Sequence, residues 1–268
     1  MTLDVRNLRF AYRHQEVLRS VDLSAAEGEL VCVLGANGAG KTTLFRAVLR
    51  LIDGFGGEVL LDGTDTRRLA VREIARRIAY VPQAYSPTFD YSVFETVLMG
   101  THVLSGSIRG PLTRENEVAA SMLDLLGIAH LADRGLGELS GGERQLVLIA
   151  RALAQRSKMI VMDEPAANLD YGNQLRVMGE AHRLARQGYL VLLSTHSPQH
   201  ALWFADRVVV LDKGVVQACG APGTVLTPEL IEAVYGVSVE LQQMRTAWGA
   251  VPVLAPDLER VGPVVAHE

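Results

Sequence analysis

The chain has 268 residues, of which 49% are hydrophobic and 21% charged, a globular composition that excludes disordered and collagen-like chains. Its formal net charge is −4, from 26 Lys and Arg against 30 Asp and Glu. Since nucleic-acid-binding proteins usually present a basic face, this balance argues against nucleic acid as the main partner. Cys32 and Cys219 form no CxxC pair or His/Cys cluster, so we expect two buried, reduced thiols rather than a zinc site or a disulfide.

The sequence shows no sign of a membrane span or a signal peptide. No apolar run approaches the roughly 18 residues that a spanning helix needs, and Asp4 and Arg6 interrupt the apolar residues near the N-terminus. We therefore expect a soluble, cytoplasmic chain that works at a membrane only through partner proteins.

The predicted elements alternate between strands and helices along the chain. Alternating polar and apolar residues at Leu3–Phe10 and Glu58–Leu61 predict a small antiparallel sheet. Continuous apolar runs are typical of parallel strands buried on both faces, and they occur at Leu30–Leu34, Ile78–Val81, Met159–Met162, Leu190–Leu193 and Val208–Leu211. Helical patterns occur at Lys41–Leu51, Gly141–Gln155 and Asn173–Gln187. The fold class is therefore predicted to be α/β with a parallel sheet.

The middle of the chain differs in pattern. Helix-like segments at Val93–Met99 and Arg114–Leu126 are joined by the Gly- and Ser-rich stretch Leu104–Gly110. We interpret residues 84–155, approximately, as a helical lobe inserted into the α/β domain. The domain is assigned to residues 1–240, and the weakly patterned tail 241–268 receives no function.

One stretch matches the phosphate-loop pattern GxxxxGK[ST], follows a buried strand and opens a helix; it comprises Gly35, Ala36, Asn37, Gly38, Ala39, Gly40, Lys41 and Thr42. The glycines let successive backbone N–H groups surround an anion at the positive end of the helix. Lys41 is expected to reach the β- and γ-phosphates, and Thr42 to bind Mg²⁺. The alternative, a glycine turn before an ordinary helix, is disfavoured by this context.

An acidic pair ends the buried run Met159–Met162. Asp163 is the candidate Mg²⁺ ligand, because a carboxylate at the carboxyl end of a parallel strand lies beside a phosphate loop. Glu164 points elsewhere and can polarise a water directed at the γ-phosphate. The alternative is a solvated acidic turn.

The segment Leu139-Ser140-Gly141-Gly142-Glu143 begins an amphipathic helix. One interpretation is a capping box between Ser140 and Glu143. Two glycines in a first helical turn cost stability, however, and favour a close backbone approach to another molecule, such as a phosphate.

These motifs together resemble the ATP-binding subunits of ABC transporters over nearly the whole chain. The resemblance implies a P-loop NTPase core over residues 1–240 that hydrolyses ATP with Mg²⁺, and a nucleotide site that extends to Thr43. Tyr12 matches the aromatic residue that stacks on adenine. Gln83 matches the Q-loop glutamine, which senses Mg²⁺ and water, and His196 matches the switch histidine at the γ-phosphate. Asn168-Leu169-Asp170 falls at the D-loop.

Taken singly, each of these residues could have an ordinary structural role. The resemblance therefore depends on the order in which they occur along the chain. Two departures stand out: the signature ends in Glu143 where many members have Gln, and the D-loop reads Ala167-Asn168-Leu169-Asp170 where Ser-Ala-Leu-Asp is common. Neither departure removes an atom that the chemistry needs.

The resemblance also implies an assembly. Two subunits would pack head to tail, so that Ser140, Gly141, Gly142 and Glu143 of one close on the ATP of the other. This pair would join two membrane permease subunits at the cytoplasmic face of the cell membrane, and an extracytoplasmic binding protein would deliver the cargo.

Three further segments resemble the metal-chelate importers of ferric siderophores, haem or cobalamin, namely Leu169–Gln174, Tyr91–Val97 and Leu226–Val237. A molybdate or tungstate importer remains an alternative. A soluble ATPase of DNA repair or translation is disfavoured, because the chain carries one such domain and no long coiled-coil insertion. A nucleotide-binding module without turnover is disfavoured by the presence of both Glu164 and His196.

The segment Ala84–Thr96 is the predicted docking site for the permease. It carries four aromatic residues, Tyr85, Phe89, Tyr91 and Phe94, with only Asp90 and Glu95 as charges, a composition typical of an interface core. The alternative is that these rings fill the core of the helical lobe.

Overall fold

A computed structural model describes residues 1–83, 85, 90–105, 113–247 and 249–260. Its strands are β1 (Thr2–Tyr12), β2 (Gln15–Ala26), β3 (Leu30–Leu34), β4 (Gly56–Leu61), β5 (Thr64–Asp65), β6 (Ile78–Val81), β7 (Met159–Met162), β8 (Leu190–Thr195), β9 (Arg207–Asp212), β10 (Val215–Gly220), β11 (Val239–Thr246) and β12 (Gly249–Pro256). Its α-helices are α1 (Lys41–Val48), α2 (Val71–Arg77), α3 (Val93–Ser105), α4 (Thr113–Leu125), α5 (Gly141–Ala154), α6 (Tyr171–Arg186), α7 (Pro198–Phe204), α8 (Pro222–Val225) and α9 (Pro228–Tyr235).

The main sheet has ten strands in the order β5-β4-β1-β2-β10-β9-β3-β8-β7-β6. Strands β9, β3, β8, β7 and β6 run parallel to one another, and the five apolar runs of the sequence form them. Strand β3 is buried along its whole length, as expected for a strand covered on both faces. Parallel strands bring their carboxyl ends to one edge, and the loops after β3, β6, β7 and β8 meet there.

The other half of the sheet is mainly antiparallel, although β2 and β10 pair in parallel. Strand β1 pairs with β2 and β4, and β4 pairs with β5. The predicted alternating segments lie in β1 and β4. Their apolar side chains share a core with α1, which includes Leu3, Leu8, Leu44 and Phe45. This core holds the first helix behind the phosphate loop.

Three helices, α3, α4 and α5, lie between β6 and β7 in the chain and form the helical lobe. Helices α3 and α5 approach closely at Gly100, where an added Cβ would lie 2.1 Å from the carbonyl oxygen of Arg151. The lobe shares a core with the parallel strands, since Val97, Val118, Leu146 and Ile160 belong to one buried cluster. The predicted α/β fold with a parallel sheet, a small antiparallel part and helices inserted between strands is confirmed.

The C-terminal segment forms a separate two-stranded antiparallel hairpin of β11 and β12. It packs on α7, where the indole Nε1 of Trp203 donates to the carbonyl oxygen of Pro252 at 2.8 Å. The Gln199 amide adds two bonds, one to the Pro252 oxygen and one from the Leu254 N–H. The predicted boundary between residues 240 and 241 therefore falls inside a strand, because β11 begins at Val239.

The expectation of two buried thiols is wrong for one cysteine. Cys32 is buried in β3, and burial raises the pKa of its thiol to about 12. Cys219 is exposed, because β10 alternates between exposed and half-buried positions. Within the described ranges, none of the helices has the length and apolar character that would let it span a membrane.

Candidate nucleotide-binding and hydrolysis site

The phosphate loop joins β3 to α1 with the geometry that its glycines require. Gly38 and Gly40 adopt φ angles of 82° and 107°, a left-handed region that favours glycine. At Gly35 an added Cβ would lie 2.2 Å from the carbonyl oxygen of Leu211 in β9. The loop lines a cavity of about 400 Å³, formed by Asn37–Thr43 together with Gln15, Val17, Gln83 and Glu164.

The ammonium group of Lys41 lies within the loop. Its Nζ donates to the carbonyl oxygens of Gly35 at 2.7 Å and Ala36 at 3.1 Å. It also lies 3.2 Å from Oε1 of Glu164, and its side chain is only 5% exposed. A buried ammonium group in this position provides positive charge where phosphates would bind.

Ser194 orients the acidic pair at the end of β7. Its hydroxyl donates to Oδ1 of the buried Asp163 at 2.7 Å and accepts from the backbone N–H of Glu164 at 2.8 Å. Ser194 is fully buried in β8, the strand next to β7. Sequence analysis missed this residue, because a serine in an apolar strand carries no motif.

The Glu164 carboxylate is the point at which several predicted site residues meet. Its Oε2 accepts from Nε2 of Gln83 at 3.2 Å and lies 3.3 Å from Nδ1 of His196, while its Oε1 contacts Lys41. The Glu164 backbone has φ of 45°, a left-handed conformation that is costly for a residue with a side chain. The structure thus brings together residues that follow β3, β6, β7 and β8.

The side chains predicted to bind Mg²⁺ carry oxygen atoms of the kind that it prefers. Thr42 offers a hydroxyl, Gln83 an amide oxygen and Asp163 a carboxylate, and Mg²⁺ prefers such hard oxygen ligands together with phosphates and water. No group of three or more His, Cys, Asp or Glu side chains suited to a metal ion occurs within the described ranges, so a metal here would depend on these mixed ligands and the phosphates.

Tyr12 lies at the end of β1, beside α1. Its ring packs edge-to-face on Phe10 with the centroids 4.8 Å apart, and Arg46 of α1 donates to its hydroxyl at 3.5 Å. The side chain is 40% exposed, which leaves ring surface for an adenine base.

The LSGGE segment forms a complete capping box at the start of α5. The Ser140 hydroxyl accepts from the Glu143 N–H at 3.3 Å, and Glu143 accepts from the Ser140 N–H at 2.9 Å. The hydrogen bonds from Ser140 hold the pKa of the Glu143 carboxyl below its ordinary value. Packing within the chain explains the glycine at position 142, because an added Cβ would lie 2.3 Å from Cγ of Asn173.

Ser140, Gly141, Gly142 and Glu143 line neither of the two described cavities at the phosphate loop. The second of these cavities, of about 390 Å³, is lined by Ala36, Asn37, Gln83, Glu164, Ala167, Asn168, His196 and Tyr235. Sequence analysis did not assign Gln15, Val17 or Tyr235 to the site, because each belongs to an element that lacks a nucleotide motif.

The predicted docking aromatics differ in their surroundings. Tyr85 and Phe94 pack partly buried against the core of the lobe, and Arg151 stacks over the Tyr85 ring at 4.8 Å. Tyr91 is half-buried, and Phe89 lies outside the described residues. The alternative that the rings fill the lobe therefore holds in part for Tyr85 and Phe94.

Comparison with known proteins gives a consistent result. Residues 18–167 match the family model of the ABC transporter. An uncharacterised ABC transporter ATP-binding protein of Haemophilus influenzae is 39% identical over 90% of this chain and 92% of its own length. The hemin import ATP-binding protein of Bordetella pertussis is 36% identical over 95% of this chain and 100% of its own length.

Solved structures agree with the sequence relatives. An ABC transporter assigned to the metal-chelate type, in an inward-facing conformation, superposes with a TM-score of 0.85 and 32% identity over 95% of this chain and 97% of that chain. More than half of the chain matches the family model, and the similar relatives extend over nearly all of it. The chain belongs to the ABC transporter family and is one of its ATPases.

Proposed function

We propose that this chain hydrolyses Mg²⁺-ATP to energise import of a metal chelate, of the ferric siderophore, haem or cobalamin class, through a membrane permease. The observation that carries the proposal is the convergence of Lys41, Gln83 and His196 on the carboxylate of Glu164, directly beside the phosphate loop. A structural ion pair alone would not need a glutamine and a histidine from two further strands.

The geometry supports a separate role in hydrolysis for each of these residues. When ATP binds, the Lys41 ammonium group leaves the loop carbonyl oxygens and Glu164 and contacts the phosphates instead. The Glu164 carboxylate is then free to accept a proton from the attacking water. His196 stands beside that carboxylate and contacts the γ-phosphate. Thr42, Gln83 and Asp163 would hold Mg²⁺, which would supply positive charge to stabilise the phosphates.

A head-to-tail pair of chains completes each site in this proposal. The LSGGE segment lies outside both cavities at the phosphate loop of its own chain. Its helix α5 begins with a capped but exposed first turn at Ser140 and Gly141. Such a helix start can meet the γ-phosphate of a nucleotide held by the partner copy.

A groove between α2, α3 and α5 is the proposed docking site for the permease. It has a volume of about 390 Å³, and its apolar lining includes Leu49, Leu51, Val71, Ile74 and Met99. Leu51 and Val71 are 60% and 73% exposed, unusual values for apolar side chains without a partner. Arg151 lines the groove and stacks on Tyr85, so the groove adjoins the predicted docking segment.

The names of the relatives support the cargo class. Besides the Bordetella hemin protein, a cobalamin import ATP-binding protein of Halobacterium salinarum is 39% identical over 94% of this chain and 63% of its own length. Import of a metal chelate places the chain peripherally at the cytoplasmic face of the cell membrane, with two permease subunits and, across the membrane, a binding protein.

Co-purification from native membranes tests the proposal. We expect the tagged chain to bring down a permease and a binding protein, and the complex in proteoliposomes to hydrolyse ATP faster with a metal chelate. Stimulation by molybdate or tungstate instead would establish the alternative cargo. A chain that hydrolyses ATP but recovers no membrane protein would contradict the transport role and favour a soluble ATPase.

A further inference from the structure

The backbone of Glu164 adopts a conformation that the local sequence disfavours. Its φ of 45° lies in the left-handed region, which is costly for a residue with a side chain. The next residue is Pro165, and the proline ring favours an extended conformation, with φ of about −120°, in the residue before it. A conformation disfavoured on both grounds persists only where its surroundings hold it.

Two hydrogen bonds hold the Glu164 backbone. Its carbonyl oxygen accepts from the N–H of Ala167 at 3.0 Å, which closes a turn within the loop after β7. Its N–H donates to the hydroxyl oxygen of Ser194 at 2.8 Å. Because Ser194 belongs to β8, the second bond ties the strained residue to the neighbouring strand of the sheet.

The Asp163 carboxylate fixes the direction of the Ser194 hydroxyl group. Ser194 is fully buried, and its O–H donates to Oδ1 of Asp163 at 2.7 Å. A hydroxyl group has one hydrogen to donate, so its oxygen is left to accept from the Glu164 N–H. The preceding residues of β8, Leu190–Leu193, are all apolar, so packing in this strand does not by itself require a serine.

The conformation of Glu164 decides where its carboxylate lies. Oε2 accepts from Gln83 and lies 3.3 Å from Nδ1 of His196, while Oε1 lies 3.2 Å from Nζ of Lys41. All these contacts lie at the cavities beside the phosphate loop. Since the direction of a side chain follows from its backbone angles, relaxation of φ toward an extended value would move the carboxylate away from these partners.

We infer that Ser194 is a positioning residue for hydrolysis, whose hydroxyl holds Glu164 in the left-handed conformation that directs its carboxylate into the cavity. The inference rests on the proposed role of Glu164 as the base. Ser194 itself is inaccessible to solvent, so it acts through Glu164 and not on the nucleotide. Correct placement of a base lowers the barrier to reaction more than it strengthens binding of ATP.

Ser194→Ala in the full-length chain tests the inference. Without the hydroxyl the Glu164 N–H loses its acceptor, so the backbone relaxes and kcat for ATP should fall about 10–100-fold. The Kd for ATP, measured with a fluorescent analogue, should stay near the wild-type value or decrease, because a displaced carboxylate no longer competes with phosphates for Lys41. Ser194→Thr, which keeps the hydroxyl, should recover most of the lost rate.

Ser157→Ala is the matched control. Ser157 is also buried, and its hydroxyl accepts from Nε2 of Gln155 at 2.9 Å. It precedes the amino end of β7, whereas Asp163 and Glu164 follow the carboxyl end of that strand. Loss of this buried hydroxyl should therefore leave kcat unchanged.

Three results would overturn the inference. The first is a wild-type kcat for Ser194→Ala. The second is a parallel loss of kcat, ATP affinity and melting temperature in Ser194→Ala, which would make the hydroxyl structural. The third is a Ser194→Thr chain that melts at the wild-type temperature but is as slow as Ser194→Ala.

Glu164→Gln, measured alongside, separates the two proposals. If that variant turns over ATP normally, the assignment of Glu164 as the base fails. An inactive Glu164→Gln beside a Ser194→Ala chain of normal kcat refutes only the inference about Ser194.

Discussion

At the scale of single residues, the ion pair between Lys41 and Glu164 would couple phosphate binding to hydrolysis under the proposed mechanism. The two charged atoms lie 3.2 Å apart, and the side chains are only 5% and 12% exposed. Charges this far from water interact strongly, and each is costly to leave without a partner. Phosphates that draw the ammonium group away therefore also change the state of the carboxylate.

Lys41→Ala should abolish ATP hydrolysis and strongly weaken ATP binding. The substitution removes the buried positive charge nearest to the phosphates, and no second lysine lines the cavity among the described residues. The chain should still fold, because Lys41 extends into the loop rather than into the apolar core. Binding of a fluorescent ATP analogue, a phosphate-release assay and a melting curve measure the three effects.

Lys158→Ala provides the matched control. Lys158 is 70% exposed and lies 3.8 Å from Glu27 at the surface, so its removal should change neither binding nor turnover. Near-normal hydrolysis by Lys41→Ala would contradict the assignment of the phosphate loop.

At the scale of elements, the contact between α5 and α6 accounts for one glycine of the LSGGE segment. A Cβ at Gly142 would lie 2.3 Å from Cγ of Asn173, whose amide is held by a 2.6 Å hydrogen bond to Asp170. Gly142→Ala should therefore lower the free energy of unfolding by roughly 1–3 kcal/mol, as overpacking does. Urea denaturation measures the change.

Two companion variants show whether the close contact is the cause. Asn173→Ala in the Gly142→Ala background should restore part of the lost stability, because it removes the clashing atoms. Gly141→Ala should be neutral or stabilising, since Gly141 is exposed and its nearest neighbour, at 3.0 Å, is the flexible end of Leu169. Equal destabilisation by both glycine variants would show that the helix start, and not Asn173, sets the requirement.

Elements buried on both faces were the easiest to predict from sequence. Strands β3, β6 and β7 begin and end where their apolar runs do, because burial on both faces leaves no polar positions. Strand β10 escaped prediction because its burial alternates with exposure. The C-terminal hairpin escaped because its positions are exposed or half-buried, and because Trp203 and Gln199 of α7 bond to its backbone.

The residues of the candidate site also fall into two groups, those that the sequence identifies and those that only the fold brings to the site. The phosphate loop, Asp163 and Glu164 were found because a motif or a strand end identifies them. Ser194 reaches the site from the neighbouring strand and Tyr235 from the end of a distant helix, and spacing along the chain does not encode such proximity. A serine in a strand and a tyrosine at a helix end look like ordinary structural residues until their neighbours are known.

At the scale of the whole molecule, the proposed docking surface for the permease lies away from the phosphate loop. Tyr91→Asp should reduce assembly with the permease and cargo-stimulated hydrolysis, because it introduces a charge into an aromatic segment beside the apolar groove. Basal ATPase activity of the isolated chain should persist. Leu258→Asp, at a 78% exposed side chain beyond the hairpin, is the control. Loss of basal activity together with melting temperature would place the Tyr91 ring in the core, and unaffected assembly would place docking elsewhere.

The last prediction concerns the pair of chains. Glu164→Gln keeps the shape of the side chain but removes the base, so the variant should bind Mg²⁺-ATP without hydrolysing it. Each bound ATP would then join the phosphate loop of one copy to Ser140 and Gly141 of the other, and the pair would persist. A wild-type pair would separate after hydrolysis, so it should be populated only weakly. Size-exclusion chromatography should show an ATP-dependent dimer for Glu164→Gln.

The matched control is Lys41→Ala combined with Glu164→Gln, which should stay monomeric because it cannot hold the nucleotide that joins the copies. A Glu164→Gln chain that remains monomeric at saturating ATP, under conditions in which the wild type dimerises, would contradict the role of Glu164. A dimer that forms equally well without ATP would show that the two chains associate through surfaces other than the nucleotide sites. ATP dependence of the dimer is therefore the property that connects the exposed start of α5 to the phosphate loop.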